Sequence, residues 1–166
     1  VSVPAGPDYA YPLEGVLKAI TPNTRIVYVN NPNNPSGQPV PQEAIRRVAR
    51  EAGHALVFVD EAYHDFLGEN FLSEAPDYPN VIVGRTFSKA FGLAGMRVGV
   101  MIASPAILAP IRRAMPLFNL DVVAIAAGFY AARNFAINTD INTLISPDLD
   151  WRKRDNQFGA AFDRER

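Results

Sequence analysis

The 166-residue sequence has no cysteine and only two histidines, His54 and His64. Without cysteine, the chain cannot form a disulfide framework, a thiolate zinc site or a cysteine nucleophile. The two histidines lie ten residues apart and belong to no ligand motif, so the sequence predicts no metal site. A phosphate loop of the Gly-x-x-x-x-Gly-Lys-Ser/Thr type is also absent, which argues against nucleotide binding.

The sequence also lacks an excess of charge and a long apolar run. Its 16 Lys and Arg residues nearly balance its 17 Asp and Glu residues, for a net charge of -1, which does not favour nucleic acid as a partner. The apolar stretch at 98–111 is interrupted by Ser104, Pro105 and Pro110, well before the ~20 residues of a membrane span. Residues 1–11 have neither the basic nor the apolar region of a secretory signal. We therefore expect a cytoplasmic protein with no membrane or nucleic-acid partner.

What is present is the composition of a folded domain, with 48% hydrophobic residues. Short apolar runs at 26–29, 55–59, 81–84 and 98–102 are typical of buried strands, and their continuous hydrophobicity predicts burial on both faces. A helix at 41–53 between the first two runs predicts a right-handed parallel crossover. The pattern predicts an α/β fold, a three-layer sandwich with a mainly parallel sheet.

The second half of the chain adds two predicted helices, at 104–115 and 122–133. Pro110 is expected to kink or interrupt the first of them. Residues 134–150 are rich in Asn and Asp and have a loop composition. Residues 151–166 are charged and predicted to be helical.

Polar side chains cluster directly after the first three strands. The segments are Asn30 to Gly37, then Asp60 to Tyr63, then Arg85 to Lys89. Ligands bind beyond the carboxyl ends of the strands in an open parallel sheet, so these loops are expected to share one pocket. An amide, a carboxylate, a phenol, two hydroxyls and a lysine would then converge there.

Taken singly, these residues have ordinary structural explanations. Asn-Pro and Ser-Gly are common turn formers, Asp60 could cap the segment that follows it, and Lys89 could be a solvated surface charge. Glu61 follows Asp60 along an extended segment and therefore points to the opposite face, where it is expected to support the site. Only the joint order and spacing of the loops indicates function.

Three signatures occur in order: Asn-Asn-Pro-Ser-Gly at 33–37, Asp-Glu-Ala-Tyr at 60–63, and Thr-Phe-Ser-Lys-Ala-Phe-Gly-Leu-Ala-Gly-Met-Arg-Val-Gly at 86–99. In this combination the sequence resembles the class I and II aminotransferases of the pyridoxal-phosphate fold-type I superfamily. It looks most like the histidinol-phosphate aminotransferase branch. The resemblance implies part of the large domain of that fold and pyridoxal 5'-phosphate as cofactor.

The resemblance also implies catalytic roles for Lys89, Asp60 and Tyr63. Lys89 would hold the cofactor as a Schiff base and, once released, move a proton at the substrate alpha carbon. Asp60 would pair with the pyridinium nitrogen and keep the ring able to accept electrons. Tyr63, together with Asn34, would donate hydrogen bonds to the ring oxygen.

The phosphate of the cofactor would be held by Thr86, Ser88 and Arg97, the last through a charge-assisted fork. The resemblance further implies a cis peptide bond before Pro35 and an antiparallel strand at 98–102. The full predicted cofactor-binding set is Asn34, Asp60, Tyr63, Thr86, Ser88, Lys89 and Arg97.

The implied activity is transfer of an amino group between an amino acid and a 2-oxo acid, with histidinol phosphate and aromatic amino acids as candidate donors. The family resemblance implies a homodimer. Two alternatives stay open: a decarboxylase or lyase that uses the same cofactor and fold, and a non-catalytic truncated remnant.

The resemblance also implies a division of the chain into three parts. Residues 1–133 would form the central part of the cofactor-binding large domain, 134–150 a divergent loop, and 151–166 the start of a helix leading toward a C-terminal domain. The family's second phosphate turn, its stacking aromatic ring and its substrate-binding arginine are not visible here. We therefore expect these 166 residues alone to bind the cofactor weakly and to transaminate little.

Overall fold

A four-stranded mixed sheet forms the centre of the protein. The computed structural model describes residues 1–68, 70–116 and 119–134. The strands are β1 (Ile26–Asn30), β2 (Leu56–Asp60), β3 (Val81–Thr86) and β4 (Gly99–Ala103), in the spatial order β1-β2-β3-β4. β1, β2 and β3 are parallel, whereas β4 pairs antiparallel with β3. The predictions of a mainly parallel sheet and of an antiparallel fourth strand are confirmed.

The sheet register brings the ends of the parallel strands side by side. Asn30 is paired with Asp60, and Asp60 with Gly84. On the other side of β3, Thr86 is paired with Gly99 of β4. The loops that follow β1, β2 and β3 therefore leave the sheet at the same edge.

Helices cover the two faces of the sheet. They are α1 (Leu13–Ala19), α2 (Gln42–Glu51), α3 (Pro105–Ala114) and α4 (Val122–Asn134). Short 3-10 turns occur at Pro7–Tyr9, His64–Phe66, Ala75–Asp77 and Ala94–Met96. Within the described part of the chain, every helix is too short or too polar to span a bilayer.

The main core lies between the sheet and α2. Ile45 and Val48 of α2 pack in one buried cluster with Val57 and Val59 of β2. Alternate strand residues face the other side, where Ile107 and Leu108 of α3 contact Ile82 and Ala103 in a second cluster. The three-layer α/β sandwich predicted from the sequence is confirmed. α4 packs separately, on the segment around Phe87 and Val98.

The structure corrects the expectation that all four strands are buried on both faces. In β1, Ile26 is 62% exposed and Tyr28 is 59% exposed, whereas Val29 on the opposite face is buried. In the described residues, β1 is paired only with β2, and α3 packs at the β3 and β4 side of the sheet. A continuous apolar run therefore predicts a strand here, but it does not predict which faces of that strand are covered by helices.

The helices predicted at 104–115 and 122–133 are present as α3 and α4. α3 is continuous through Pro110, whose ring lies on the exposed side while Ile107 and Leu108 anchor the helix to the sheet. Asn134, expected to begin a loop, is the last residue of α4. The rest of the predicted 134–150 loop and the predicted 151–166 helix lie outside the described residues.

Candidate active site

The loop after β1 is held by its own asparagines. The buried Asn31 side chain accepts a hydrogen bond from the Val40 amide at 2.9 Å, which ties the two ends of the loop together. Inside it, the Gly37 amide donates to the Asn33 carbonyl at 2.7 Å, and Gly37 adopts a positive φ of 73° that favours glycine. The Asn34–Pro35 peptide bond is cis, as predicted. This compact turn presents Asn34 at the exposed edge of the sheet.

The carboxylate of Asp60 is held through both of its oxygens. It stands half-buried at the end of β2. Its Oδ1 accepts a hydrogen bond from the Ala62 amide at 3.0 Å, and its Oδ2 accepts one from the hydroxyl of Tyr28. The sequence analysis did not identify Tyr28, although strand alternation places residues 28 and 60 on the same face of the sheet.

Asn34, Tyr63 and Lys89 come together from three separate loops. The Asn34 amide nitrogen donates to the Tyr63 hydroxyl at 3.4 Å. The Lys89 ammonium nitrogen lies over the Tyr63 ring, 5.2 Å from its centre, in the geometry of a cation–π contact. Three of the predicted site residues therefore form one cluster, in which the Asn34 amide and the Lys89 amine both contact the phenol of Tyr63.

Thr86 and Ser88 are also close to each other. The Ser88 amide donates to the Thr86 hydroxyl oxygen at 3.1 Å, so the start of this loop is folded onto the end of β3. The Leu93 amide closes the loop by donating to the Phe87 carbonyl at 3.0 Å. Two hydroxyls and a lysine are thereby confined to one short segment.

Arg97 is placed differently from the other predicted residues. It has a left-handed backbone conformation, with φ of 52°, and an exposed side chain. Its guanidinium donates to the Ala94 carbonyl at 3.0 Å, within the same 3-10 turn region. This hydrogen bond joins the Arg97 guanidinium to its own loop.

A buried ion pair lies beneath the loops, on the opposite side of β2 from Asp60. Arg85 donates to Glu61 Oε2 from Nε at 3.0 Å and from a terminal nitrogen at 2.8 Å. Glu61 Oε1 accepts from the Phe71 amide. The side chain of Glu61 is fully buried and that of Arg85 is 9% exposed. Glu61 thus has the supporting position expected from the sequence, while the role of Arg85 was missed.

Loss of this ion pair should destabilise the fold. We expect Arg85→Met to lower the free energy of unfolding by about 3–5 kcal/mol, because the Glu61 carboxylate is left buried without its cation. Adding Glu61→Gln should recover part of the loss, since the amide removes the charge and still accepts from the Phe71 amide. Chemical denaturation measures both variants, with the exposed Arg112→Met as control. A loss below about 0.5 kcal/mol in Arg85→Met would contradict this account.

The other titratable clusters lie away from this edge. Arg46 binds Glu74 at 2.7 Å, which lowers the pKa of that carboxylate. The pKa of Glu43 is lowered by Arg50 at 2.8 Å and by Arg46 at 3.2 Å. A cleft of about 490 Å³ near the start of β1 is lined by Leu17, Ile20, Thr21, Pro22, Arg25, Glu51 and His54, none of which belongs to the predicted site. Among the described residues, no three His, Asp or Glu side chains are placed to hold a metal ion.

Comparison with known proteins gives a consistent result. A family model described as aminotransferase class I and II matches residues 2–143. A histidinol-phosphate aminotransferase of Methanococcoides burtonii is 44% identical over 124 residues, and an aromatic amino acid aminotransferase of Nocardia farcinica is 39% identical over 135 residues. These matches cover 75% and 76% of this chain but 34% and 37% of the relatives. The chain thus spans about a third of their length.

Solved structures show the same similarity. The histidinol-phosphate aminotransferase from Sinorhizobium meliloti, determined in complex with pyridoxal-5'-phosphate, matches with a TM-score of 0.70 and 34% identity. The match covers 81% of this chain and 38% of that structure. Since the family model covers most of the sequence and the fold agrees, the chain belongs to the class I and II aminotransferase family.

Proposed function

We propose that this chain provides the cofactor site of a pyridoxal-phosphate-dependent aminotransferase, which exchanges an amino group between an amino acid and a 2-oxo acid. The observation that carries the proposal is the convergence of Asn34, Tyr63 and Lys89 from three loops, with Asp60 at the start of one of them. Family membership and the names of the relatives support the reaction class.

The residues present fit this cofactor. Its ring nitrogen requires an anionic acceptor, which Asp60 offers with an oriented carboxylate. Its phenolic ring oxygen requires donors, which the Asn34 amide and the Tyr63 hydroxyl offer side by side. Its aldehyde requires an amine, and Lys89 Nζ lies on the same cluster. Asp60, Asn34, Tyr63 and Lys89 together therefore offer a partner for each polar group of the ring.

The phosphate has a donor set of its own. The hydroxyls of Thr86 and Ser88 lie together at the end of β3 and would bind phosphate oxygens. Arg97 is close in sequence and exposed, and its guanidinium would add a charge-assisted fork once it turns from the Ala94 carbonyl. These three residues complete the proposed cofactor-binding set.

The chemistry follows from the side chains. When bound, pyridoxal phosphate supplies a reactive carbonyl and a ring that accepts electrons. Lys89 would hold that carbonyl, and its amine, when free, would move a proton at the substrate alpha carbon. Asp60 would favour the protonated form of the ring nitrogen, while Tyr63 and Asn34 would donate hydrogen bonds to the ring oxygen. Lys89, Asp60 and Tyr63 are the proposed catalytic residues.

The finer assignments extend the same proposal. The named relatives support histidinol phosphate or an aromatic amino acid as the amino donor. Residues 1–133 would be the central part of the large domain, 134–150 a divergent loop and 151–166 the start of a helix toward a further domain. The working protein would be a homodimer, as the family resemblance implies, and its proposed location is the cytoplasm.

A donor panel tests the activity. Because these 166 residues alone are expected to transaminate little, a full-length, active protein that contains them is incubated with pyridoxal phosphate, 2-oxoglutarate and one donor: histidinol phosphate, phenylalanine, tyrosine or aspartate. We expect glutamate to form in equal amount to the donor consumed, with histidinol phosphate or an aromatic amino acid preferred. Release of carbon dioxide without glutamate would support the decarboxylase alternative instead. No exchange with any donor in protein that forms the covalent Lys89 adduct would reject transamination.

A further inference from the structure

Tyr28 belongs to a row of aromatic contacts across the sheet. Its ring is stacked on Phe58 of β2, with ring centres 5.6 Å apart and planes within 9° of each other. Phe58 lies over Gly84 of β3, where an added Cβ would stand 2.6 Å from the end of the Phe58 ring. The glycine therefore leaves room for Phe58, and Phe58 in turn supports the Tyr28 ring.

This row directs the Tyr28 hydroxyl at the site. Tyr28 is paired with Phe58, two residues before Asp60, so its long side chain reaches the carboxylate along the diagonal of the sheet. The hydroxyl donates to Asp60 Oδ2. Partial burial, together with the hydrogen bond and charge of Asp60, raises the pKa of Tyr28 to about 12, so the hydroxyl is a protonated donor at neutral pH.

Asp60 keeps acceptor capacity beyond these contacts. A carboxylate has about four acceptor positions, and the Tyr28 hydroxyl and Ala62 amide occupy one on each oxygen. With one donor on each oxygen, the carboxylate cannot rotate without breaking a hydrogen bond. The remaining lone pairs therefore have a fixed direction.

We propose that Tyr28 is a positioning residue for Asp60: its hydroxyl fixes the orientation in which the carboxylate meets the cofactor ring nitrogen. This inference rests on the proposed function, since it assumes that Asp60 binds that nitrogen. It assigns a role to a β1 residue that lies outside all three sequence signatures. A purely structural Tyr28 would contribute only its stacked ring.

Two ligands separate these roles. One is pyridoxal phosphate, and the other is the analogue with a carbon atom in place of the ring nitrogen. Both carry the same aldehyde, ring oxygen and phosphate, so every contact except the one to Asp60 is shared. Absorbance titration gives the Kd of each ligand, and the ratio of the two Kd values is the preference for the nitrogen compound.

We expect Tyr28→Phe to raise the Kd of pyridoxal phosphate about fivefold, the effect of one hydrogen bond, while the Kd of the carbon analogue changes less than about twofold. The substitution keeps the ring on Phe58 and removes only the hydroxyl. In an Asp60→Ala background, Tyr28→Phe should no longer affect the preference. Tyr9→Phe is the matched control, because it removes the same hydroxyl from an exposed tyrosine outside the sheet.

Three outcomes would contradict the inference. Equal weakening of both ligands by Tyr28→Phe would assign Tyr28 a structural role, as would an unchanged effect in the Asp60→Ala background. No change in either Kd would leave the hydroxyl without a role and overturn the inference.

Failure of the inference can be told from failure of the proposed function. If the proposed cofactor site is wrong, borohydride traps neither ligand on Lys89 in the unaltered protein. If only the Tyr28 inference is wrong, Lys89 is labelled normally and the Tyr28→Phe protein keeps the full preference for the nitrogen compound.

Discussion

Replacing Lys89 with arginine should abolish the trapping of pyridoxal phosphate by borohydride and, in a full-length, active protein that contains these residues, lower turnover by about 10³-fold or more. Lys89 Nζ lies over the Tyr63 ring, in the cluster that also contains the Asn34 amide. Arginine keeps the positive charge and much of the length, but its guanidinium stays protonated and cannot act as the amine. The loss therefore reports the missing nucleophile and base, and not a missing cation.

The chain has only three lysines, Lys18, Lys89 and Lys153, which makes the labelling test direct. After reduction with borohydride, peptide mapping should find the label on Lys89 far above the other two. Lys18→Arg is the matched control, because Lys18 is an exposed residue in the last turn of α1. Equal labelling of all three lysines, or a preference for Lys18, would refute Lys89 as the attachment site.

The strands and the loop cluster could be predicted because local signals and a general topological rule agree there. Short apolar runs mark β2 and β3, and parallel strands necessarily deliver their following loops to one edge. Asn34, Tyr63 and Lys89 meet for that reason, although 55 residues separate the first from the last. The order of three signatures then identified the family.

The remaining features depend on tertiary contacts that leave little trace in the sequence. α1 is an exception, because Leu13, Val16, Leu17 and Ile20 have helical spacing and pack against the main core, and the sequence prediction missed that signal. The exposure of Ile26 and Tyr28 depends on what covers β1, which the apolar run does not encode. Arg97 carries the family motif, yet its left-handed backbone and its bond to Ala94 could be learned only from coordinates.

Tyr28 and Arg85 show why functional support is harder to find than the site itself. Each acts on a residue from another strand, Tyr28 on Asp60 and Arg85 on Glu61. Strand alternation predicts which face such side chains share, but the pairing depends on register between segments far apart in sequence. The register is visible only in the assembled sheet.

In a full-length, active protein that contains these residues, replacing Asp60 with asparagine should lower turnover by about 10²-fold or more while leaving covalent capture by Lys89 intact. Asparagine fits the position: its amide oxygen can accept from the Ala62 amide, and its amide nitrogen can donate to the Tyr28 hydroxyl, which rotates to accept. The side chain therefore keeps its shape and both neighbours. What it loses is the negative charge that favours a protonated ring nitrogen.

The Asp60→Asn variant is expected to separate covalent capture by Lys89 from turnover. Capture depends on the Lys89 amine and turnover on the ring as electron acceptor, so Asp60→Asn should reduce kcat far more than labelling. Asp77→Asn, at an exposed carboxylate in the Ala75–Asp77 turn, controls for the loss of one charge. Activity within about threefold of the unaltered protein would exclude Asp60 as the ring-nitrogen partner. Parallel loss of labelling and turnover would instead make Asp60 a residue needed to form the site, because an intact site with a neutral partner should still present Lys89 to the aldehyde.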